Sequence, residues 1–196
     1  MTRTSAEGVI IDTFPVVRHA TEVRSLLRPE DLQHTARMAE RRARQSVTAV
    51  ARLRELVARE HGERAAADTI TRTCDGCGAA HGRPRFAHVP VDFSLSHSAD
   101  RVAIALTPHG TVGIDIEALL PRRPLRLLPG TAVASEDTLT GLYRRWTQRE
   151  ALLKTGRNHT DARILRTFTI ENRYLVSVAH SRTTQLHHPH DRRMTP

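Results

Sequence analysis

Lysine is almost missing from this 196-residue chain. Of its 30 basic residues other than histidine, one, Lys154, is lysine and the rest are arginine. Arginine carries a permanent charge on a planar guanidinium group, whereas the lysine ammonium is compact and can lose its proton. The lone lysine is either a chance remnant in an arginine-rich composition or a position at which the ammonium itself is needed.

Cysteines, aromatic residues and long apolar runs are also scarce. Cys74 and Cys77 are the only cysteines, which argues against a disulfide framework. Aromatic residues make up 4% of the chain, so Leu, Val, Ile and Ala must build the core. No apolar run reaches the ~20 residues of a membrane-spanning helix. Because the first residues also lack the features of a secretory signal, we expect a soluble, cytoplasmic protein.

The charge balance is strongly positive, with a formal net charge of +9 at pH 7. Such a surface attracts acidic partners, and nucleic acid, a membrane surface, a phosphorylated ligand or an acidic protein would all satisfy it. Charge alone does not choose between them.

Hydrophobic periodicity predicts both helices and strands. The predicted strands are Val9 to Ile11, VDFSLSHS from Val91, RVAIAL from Arg101, TVGIDIE from Thr111, and two late strands, FTI and RYLVSVAH. A short helix is predicted around 19–27, a long one over 29–61, and another from a cap at Ser135 to Gly156. In the long helix, Val47, Val50, Leu53, Leu56 and Val57 predict a buried stripe.

The strand Gly113 to Glu117 places two carboxylates on one face. Side chains alternate along a strand, so Asp115 and Glu117 point the same way while Ile114 and Ile116 point to the core. Two neighbouring carboxylates repel each other unless a cation lies between them, and Mg²⁺ prefers oxygen ligands. The pattern therefore indicates either a magnesium site or a solvated strand edge.

Three residues of the last helix share one side. Trp146, Glu150 and Lys154 follow each other at intervals of four, which stacks them along the helix. A Glu–Lys pair at this spacing usually adds only a little helix stability. Here it uses the only lysine and lies one turn from the only tryptophan, which favours a functional role.

Two further segments suit a phosphate. The strand Phe93 to Ser98 delivers Ser96 and His97 at its end, where hydroxyls and an imidazole can bind an anion or serve only as structural caps. In the turn His81-Gly82-Arg83-Pro84, glycine permits close approach of a ligand to the backbone, and the Arg83 guanidinium can bind a phosphate.

Taken in order, FSLSHS, GIDIE and WTQREALLKTG resemble the 4′-phosphopantetheinyl transferases. The preceding CDGCGAAHGRP and the arginine-rich helix are similar to the long, surfactin-synthetase-activating branch and its actinobacterial members. The resemblance covers about residues 28–180. It implies an α+β fold of two similar lobes, each a helix packed on a small antiparallel sheet. We place these lobes at 1–108 and 109–182, followed by a disordered tail over 183–196, and expect a monomer.

The resemblance also implies an activity and its residues. The enzyme would transfer the phosphopantetheine arm of coenzyme A to a serine of an acyl or peptidyl carrier protein, with Mg²⁺ or Mn²⁺. Asp115, Glu117 and Glu150 match the metal-binding acids, and Glu150 is also the candidate base. Lys154 matches the lysine near the transferred phosphate. Arg44, Arg83, Ser96 and His97 match positions lining the coenzyme A site.

Some features depart from the family pattern. Arg149 stands where lysine is usual, and the linker from Ala118 to Arg145 is short. These departures motivate an alternative, a coenzyme A-binding protein of the same fold that does not transfer. A basic nucleic-acid-binding module is a second, weaker alternative, so we expect no nucleic-acid partner.

Cys74, Cys77 and His81 suggest zinc, but structural zinc takes four ligands and the chain has no second CxxC motif. His88 is a candidate fourth ligand, and the interpretation without zinc is favoured. The tail residues His187, His188 and His190 are expected to be exposed.

Overall fold

Two antiparallel sheets, with helices packed against them, form the fold. The structure is a computed structural model that describes residues 2–74, 76–120, 138–156 and 161–182. The strands are β1 (Thr2–Ala6), β2 (Val9–Pro15), β3 (Ile70–Thr71), β4 (Arg85–Phe86), β5 (Asp92–Ser98), β6 (Arg101–Thr107), β7 (Thr111–Ala118), β8 (Arg163–Ile170) and β9 (Tyr174–Ser181). The α-helices are α1 (Pro29–Thr35), α2 (Glu40–His61), α3 (Glu63–Ala66) and α4 (Leu139–Thr155), and a 3-10 helix spans Ala20–Leu26. The α+β fold class is confirmed.

The strands separate into two sheets along the chain. The order is β1-β2-β6-β5 in the first sheet and β7-β9-β8 in the second, with β3 and β4 forming a small ribbon. The first sheet ends at Thr107 and the second begins at Thr111, within the turn predicted to divide the lobes. The lobe boundaries themselves stay a prediction. The predicted tail over 183–196 lies outside the described residues.

The single long helix predicted over 29–61 is two helices in the structure. The prediction of one continuous helix was therefore wrong between Thr35 and Glu40. The chain ends α1 at Thr35 and resumes α2 at Glu40, because Ala39 adopts an extended ψ of 143° that no α-helix contains. The predicted stripe on α2 is confirmed, since Val47, Val50, Leu53, Leu56 and Val57 are at most 4% exposed.

Strand β7 is buried on both faces. Val112, Ile114 and Ile116 enter a core cluster with Val9 and Ile11 of β2, as predicted. The opposite face carries Gly113, Asp115 and Glu117 and packs under α4. A Cβ on Gly113 would lie 1.9 Å from the carbonyl oxygen of Ala151, so only glycine allows the helix to approach this closely.

Helix α4 begins after Thr138, whose side chain accepts a hydrogen bond from Gly141 N at 3.1 Å. It ends at Gly156, as predicted, where φ is +118°. The predicted cap Ser135 lies outside the described residues. No helix among the described residues is long and apolar enough to cross a bilayer.

Candidate active site at the seam between the sheets

The two sheets meet where β5 and β7 run side by side. Hydrogen bonds between these two strands go from backbone N–H groups to side chains, in place of the usual bonds from backbone to backbone. Four backbone N–H groups of β7 donate to β5 side chains: Val112 to Asp92 Oδ2 at 2.7 Å, Ile114 to Ser94 Oγ at 3.1 Å, Ile116 to Ser96 Oγ at 3.3 Å and Ala118 to Ser98 Oγ at 3.0 Å. Because the sequence separation is 20 each time, the two strands run parallel. We call this contact the polar seam.

Two cations reach the carbonyl groups of β7 in the polar seam. Arg83 Nη2 donates to Val112 O at 2.6 Å, and also to Phe93 O at 2.8 Å and Asp92 Oδ2 at 2.6 Å. Lys154 Nζ donates to Ile114 O at 3.0 Å. Arg83 therefore links β5 to β7 in this structure, and its predicted contact with coenzyme A stays a prediction.

Lys154, Asp115 and Ser96 form a compact cluster within the polar seam. Lys154 Nζ lies 2.7 Å from Asp115 Oδ1 and 3.1 Å from Ser96 Oγ, and Ser96 Oγ donates to the same Asp115 oxygen at 2.9 Å. The Lys154 side chain is 32% exposed and that of Asp115 only 8%. The predicted residues from β5, β7 and α4 thus meet at one point.

The second oxygen of Asp115 has no hydrogen-bond partner although it is fully buried. An unpartnered buried carboxylate oxygen is costly, and a bound cation is one way to satisfy it. The chemistry of this oxygen therefore fits a hard divalent ion such as Mg²⁺.

The other two predicted acids are not gathered with Asp115. Glu117 accepts a hydrogen bond from Ser98 Oγ at 2.9 Å on Oε2, and Glu150 is half-buried one helical turn before Lys154. Among the described residues, Asp115, Glu117 and Glu150 do not bring three carboxylate oxygens within 4.8 Å of one another. Their joint role as metal ligands stays a prediction.

His97 follows Ser96 at the end of β5 and is exposed. Partial loss of hydration lowers the pKa of its imidazole below the ordinary value of 6.5, and the charges of Arg42 and Lys154 lower it further. A backbone hydrogen bond and the charge of Asp115 act in the opposite direction. The neutral form of the imidazole therefore predominates at pH 7, and an anion bound beside it would raise the pKa again.

An arginine-lined cleft opens next to the β5–β6 turn. It has a volume of about 540 Å³ and is lined by residues that include Arg18, Arg41, Arg44, Asp100 and Arg173. Arg44 Nη1 pairs with Glu40 Oε1 at 2.9 Å, an exposed pair within one helix. The structure thus places Arg44 on a basic cleft, and its contact with coenzyme A stays a prediction.

Sequence reasoning missed part of the polar seam. Asp92 and Ser94 were not singled out, nor was Arg42 near His97. A signal was present, because Asp92, Ser94, Ser96 and Ser98 are small polar residues at every second position of a strand. Four such residues on one face indicate that this face meets polar backbone rather than an apolar core.

Comparison with known proteins supports the resemblance over part of the chain. The chain is 38% identical over 85 residues to 4′-phosphopantetheinyl transferase AcpT of Escherichia coli K12 and to that of Salmonella typhimurium LT2. Each match covers 37% of this chain and 44% of the relative. A putative 4′-phosphopantetheinyl transferase of Haemophilus influenzae is 38% identical over 86 residues, covering 38% of this chain and 37% of that protein.

No protein-family model matches the chain. The matches span less than half the length of these relatives. Over that part, the chain is similar to proteins named 4′-phosphopantetheinyl transferases, which agrees with the resemblance drawn from its motifs.

Proposed function

We propose that this protein transfers the 4′-phosphopantetheine group of coenzyme A to a serine of an acyl or peptidyl carrier protein, releasing adenosine 3′,5′-bisphosphate. The observation that carries the proposal is the contact between the only lysine and the buried Asp115, which leaves Asp115 Oδ2 unpartnered. The partial similarity to transferases of this activity supports it. We assign the chain to the long, two-lobed branch and expect a monomer.

Mg²⁺, or Mn²⁺ in its place, would be held by Asp115, Glu117 and Glu150. Asp115 offers its unpartnered oxygen, Glu117 projects from the same face of β7, and Glu150 follows the side of α4 that carries Lys154. When bound, a divalent ion would neutralise negative charge on the diphosphate of coenzyme A and the charge that develops in the transition state of the transfer.

The basic residues around this point suit the anionic parts of coenzyme A. His97 and Ser96 would meet the ribose phosphate, and Arg44 would face the nucleotide from the arginine-lined cleft. Arg83 would line the same site from the seam. The distribution of positive charge also favours an acidic carrier protein as the second substrate.

The reaction is a displacement at phosphorus. The serine oxygen of the carrier forms a bond to the phosphorus bearing the pantetheine arm, and the bond from that phosphorus to the bisphosphate oxygen breaks. Glu150 accepts the proton of the serine hydroxyl. Lys154 stabilises or protonates the departing oxygen, because a phosphate oxygen can replace one of the three acceptors that now surround its ammonium.

The alternative is a protein of the same fold that binds coenzyme A without transferring its arm. It is motivated by Arg149, where the family carries lysine, and by the separation of the three carboxylates in this structure. Both functions require coenzyme A binding, so binding alone does not distinguish them.

The test is to incubate the protein with coenzyme A, MgCl₂ and an apo carrier protein and to measure the carrier's mass. The proposal expects the mass to increase by one phosphopantetheine group, with no increase when EDTA replaces the metal. An acyl and a peptidyl carrier should be assayed in parallel. Coenzyme A binding without a mass increase on either carrier would favour the alternative.

A further inference from the structure

The loop between β3 and β4 gathers three metal-binding side chains away from the polar seam. Cys74, Cys77 and His81 place their donor atoms within 4.8 Å of one another. Cys77 Sγ and His81 Nε2 are 3.0 Å apart, and neither cysteine is in a disulfide. Cys77 and His81 are exposed, so an ion can reach the cluster from solvent.

The backbone of this loop holds the three side chains in place. Gly78 N donates to Cys74 O at 2.9 Å, which closes a turn around the CxxC motif, and Cys74 N donates to Ala79 O at 2.8 Å. Gly78 has a φ of +73°, which glycine adopts at little cost. The loop is therefore folded back on itself, which keeps the three side chains close together.

Gly82 closes the base of the loop. Its N–H donates to Arg72 O at 2.7 Å, and a Cβ at this position would lie 2.3 Å from Thr73 O and 2.8 Å from Cys74 N. Only glycine allows the chain after His81 to return this close to the segment before Cys74. This approach is what brings the imidazole back to the two thiols.

We propose that Cys74, Cys77 and His81 bind one Zn²⁺ ion. Two sulfur donors and one imidazole are a ligand set typical of zinc. With Zn–S near 2.3 Å and Zn–N near 2.0 Å, tetrahedral donors lie roughly 3.5–3.8 Å apart, so only a small adjustment of the observed cluster is needed. Within the described residues the cluster has no fourth such ligand, so water would complete the tetrahedral coordination of the bound ion.

His88 does not complete this site. Its Nδ1 lies 2.8 Å from Asp68 Oδ1, and its backbone N–H donates to Asp68 Oδ2 at 2.7 Å, which fixes it beside the β3–β4 ribbon. The fourth ligand considered from the sequence is therefore engaged elsewhere, and His88 provides a matched control for a metal-binding experiment.

Binding of zinc would also organise the approach to the polar seam. Arg83 follows His81 by two residues and donates to Asp92 and Val112 between the sheets. Zinc would deprotonate the two thiols and replace the hydrogen bond between Cys77 and His81 by two bonds to the metal. The loop would then be fixed directly before the residue that joins β5 to β7.

The experiment measures metal content and does not depend on transferase activity. The reduced full-length protein is incubated with ZnCl₂, desalted and analysed for zinc. We expect about one ion per chain in the wild type, a loss of about tenfold in Cys77→Ser and His81→Ala, and wild-type content in His88→Ala. A triple alanine substitution of His187, His188 and His190 controls for metal bound by the tail and should also retain the wild-type content.

Cobalt substitution supplies a second measurement on the wild type alone. Co²⁺ bound by two thiolates should give sulfur-to-metal charge-transfer absorption, and Zn²⁺ should abolish it by displacement. The inference is overturned if the reduced wild type retains no zinc and shows no such absorption, or if the Cys74→Ser/Cys77→Ser variant retains as much zinc as the wild type. If Cys77→Ser fails to fold, the cobalt spectrum of the wild type decides.

Discussion

Lys154 lies with its ammonium 2.7 Å from Asp115 Oδ1, so that the only lysine of the chain bridges α4 and β7. The same ammonium reaches Ser96 of β5, which belongs to the other sheet. One cationic group of α4 therefore contacts both sheets. Glu150 lies one turn earlier on the same helix.

Lys154→Arg tests whether the ammonium matters for more than its charge. Three acceptors within 3.1 Å surround a compact group, and a planar guanidinium cannot occupy the same position without displacing Ser96 or Asp115. We expect phosphopantetheine transfer to slow by about tenfold or more, or about 1.4 kcal/mol in activation free energy. Transfer is followed by the mass of the carrier over time.

The control for that variant is Arg144→Lys, an exposed position on the same helix, which should leave the rate unchanged. Near-normal transfer in Lys154→Arg would contradict the role given to the lone lysine.

Asp115→Asn removes the charge while keeping the shape of the side chain. The amide can still accept from Ser96 and Lys154, but it offers a much weaker ligand to a divalent ion. We expect transfer to fall on the order of 100-fold, whereas coenzyme A binding weakens but stays measurable. Titration calorimetry with coenzyme A and the carrier-mass assay separate the two effects. An active Asp115→Asn enzyme with an unchanged dependence on Mg²⁺ would show that this carboxylate is not a metal ligand.

Gly113→Ala tests the close approach of α4 to β7. The added methyl group would overlap the carbonyl oxygen of Ala151, and backbone atoms on both sides cannot move aside without shifting the helix. We expect the free energy of unfolding to fall by about 1–3 kcal/mol. Transfer should fall with it, because the helix carries Glu150 and Lys154. Urea denaturation measures the stability change.

Gly76→Ala is the matched control, since its new methyl group would meet nothing closer than Cys74 Sγ at 4.0 Å. Equal stability of Gly113→Ala and Gly76→Ala would mean that α4 tolerates displacement from β7.

Local patterns were enough to predict much of the fold. The alternation in GIDIE predicted which face of β7 enters the core. The helical spacing of Trp146, Glu150 and Lys154 predicted a shared side of α4, and Lys154 on that side contacts Asp115 of β7. The strand β1 was missed because TRTSA lacks hydrophobic alternation, and it is held by pairing with β2. The break at Ala39 was missed because the arginine-rich segment around it is compatible with a continuous helix.

The alternating polar residues of β5 indicate a polar face, but the sequence does not identify their partners in the polar seam, because those partners are distant in sequence. The residues around Asp92 in the sequence do not indicate that its carboxylate accepts a hydrogen bond from Val112 N. They also do not indicate that Arg83 donates to the carbonyl oxygen of Val112. These contacts depend on two sheets meeting edge to edge along parallel strands. The position of Arg83 illustrates the limit, since a glycine–arginine–proline turn equally suits a residue facing a ligand and one linking two strands.

The protonation of His97 should change when coenzyme A binds. In the free protein, partial loss of hydration and the charges of Arg42 and Lys154 hold the pKa of the imidazole below 6.5, so the neutral form predominates at pH 7. A phosphate dianion beside it would favour the charged form and raise the pKa. Binding near pH 7 should therefore take up a fraction of a proton, and affinity should increase as the pH falls toward the lowered pKa of the free protein.

Titration calorimetry in buffers of different ionisation enthalpy measures this uptake directly. The phosphate of coenzyme A also changes its own protonation on binding, so the decisive quantity is the difference between the wild type and His97→Gln. We expect the uptake to decrease in His97→Gln and to remain in His34→Gln, where burial and Arg72 lower the pKa of a histidine on α1 in the same direction. The same uptake in all three proteins would place the phosphate away from His97, because a dianion in contact with a neutral imidazole must shift its titration.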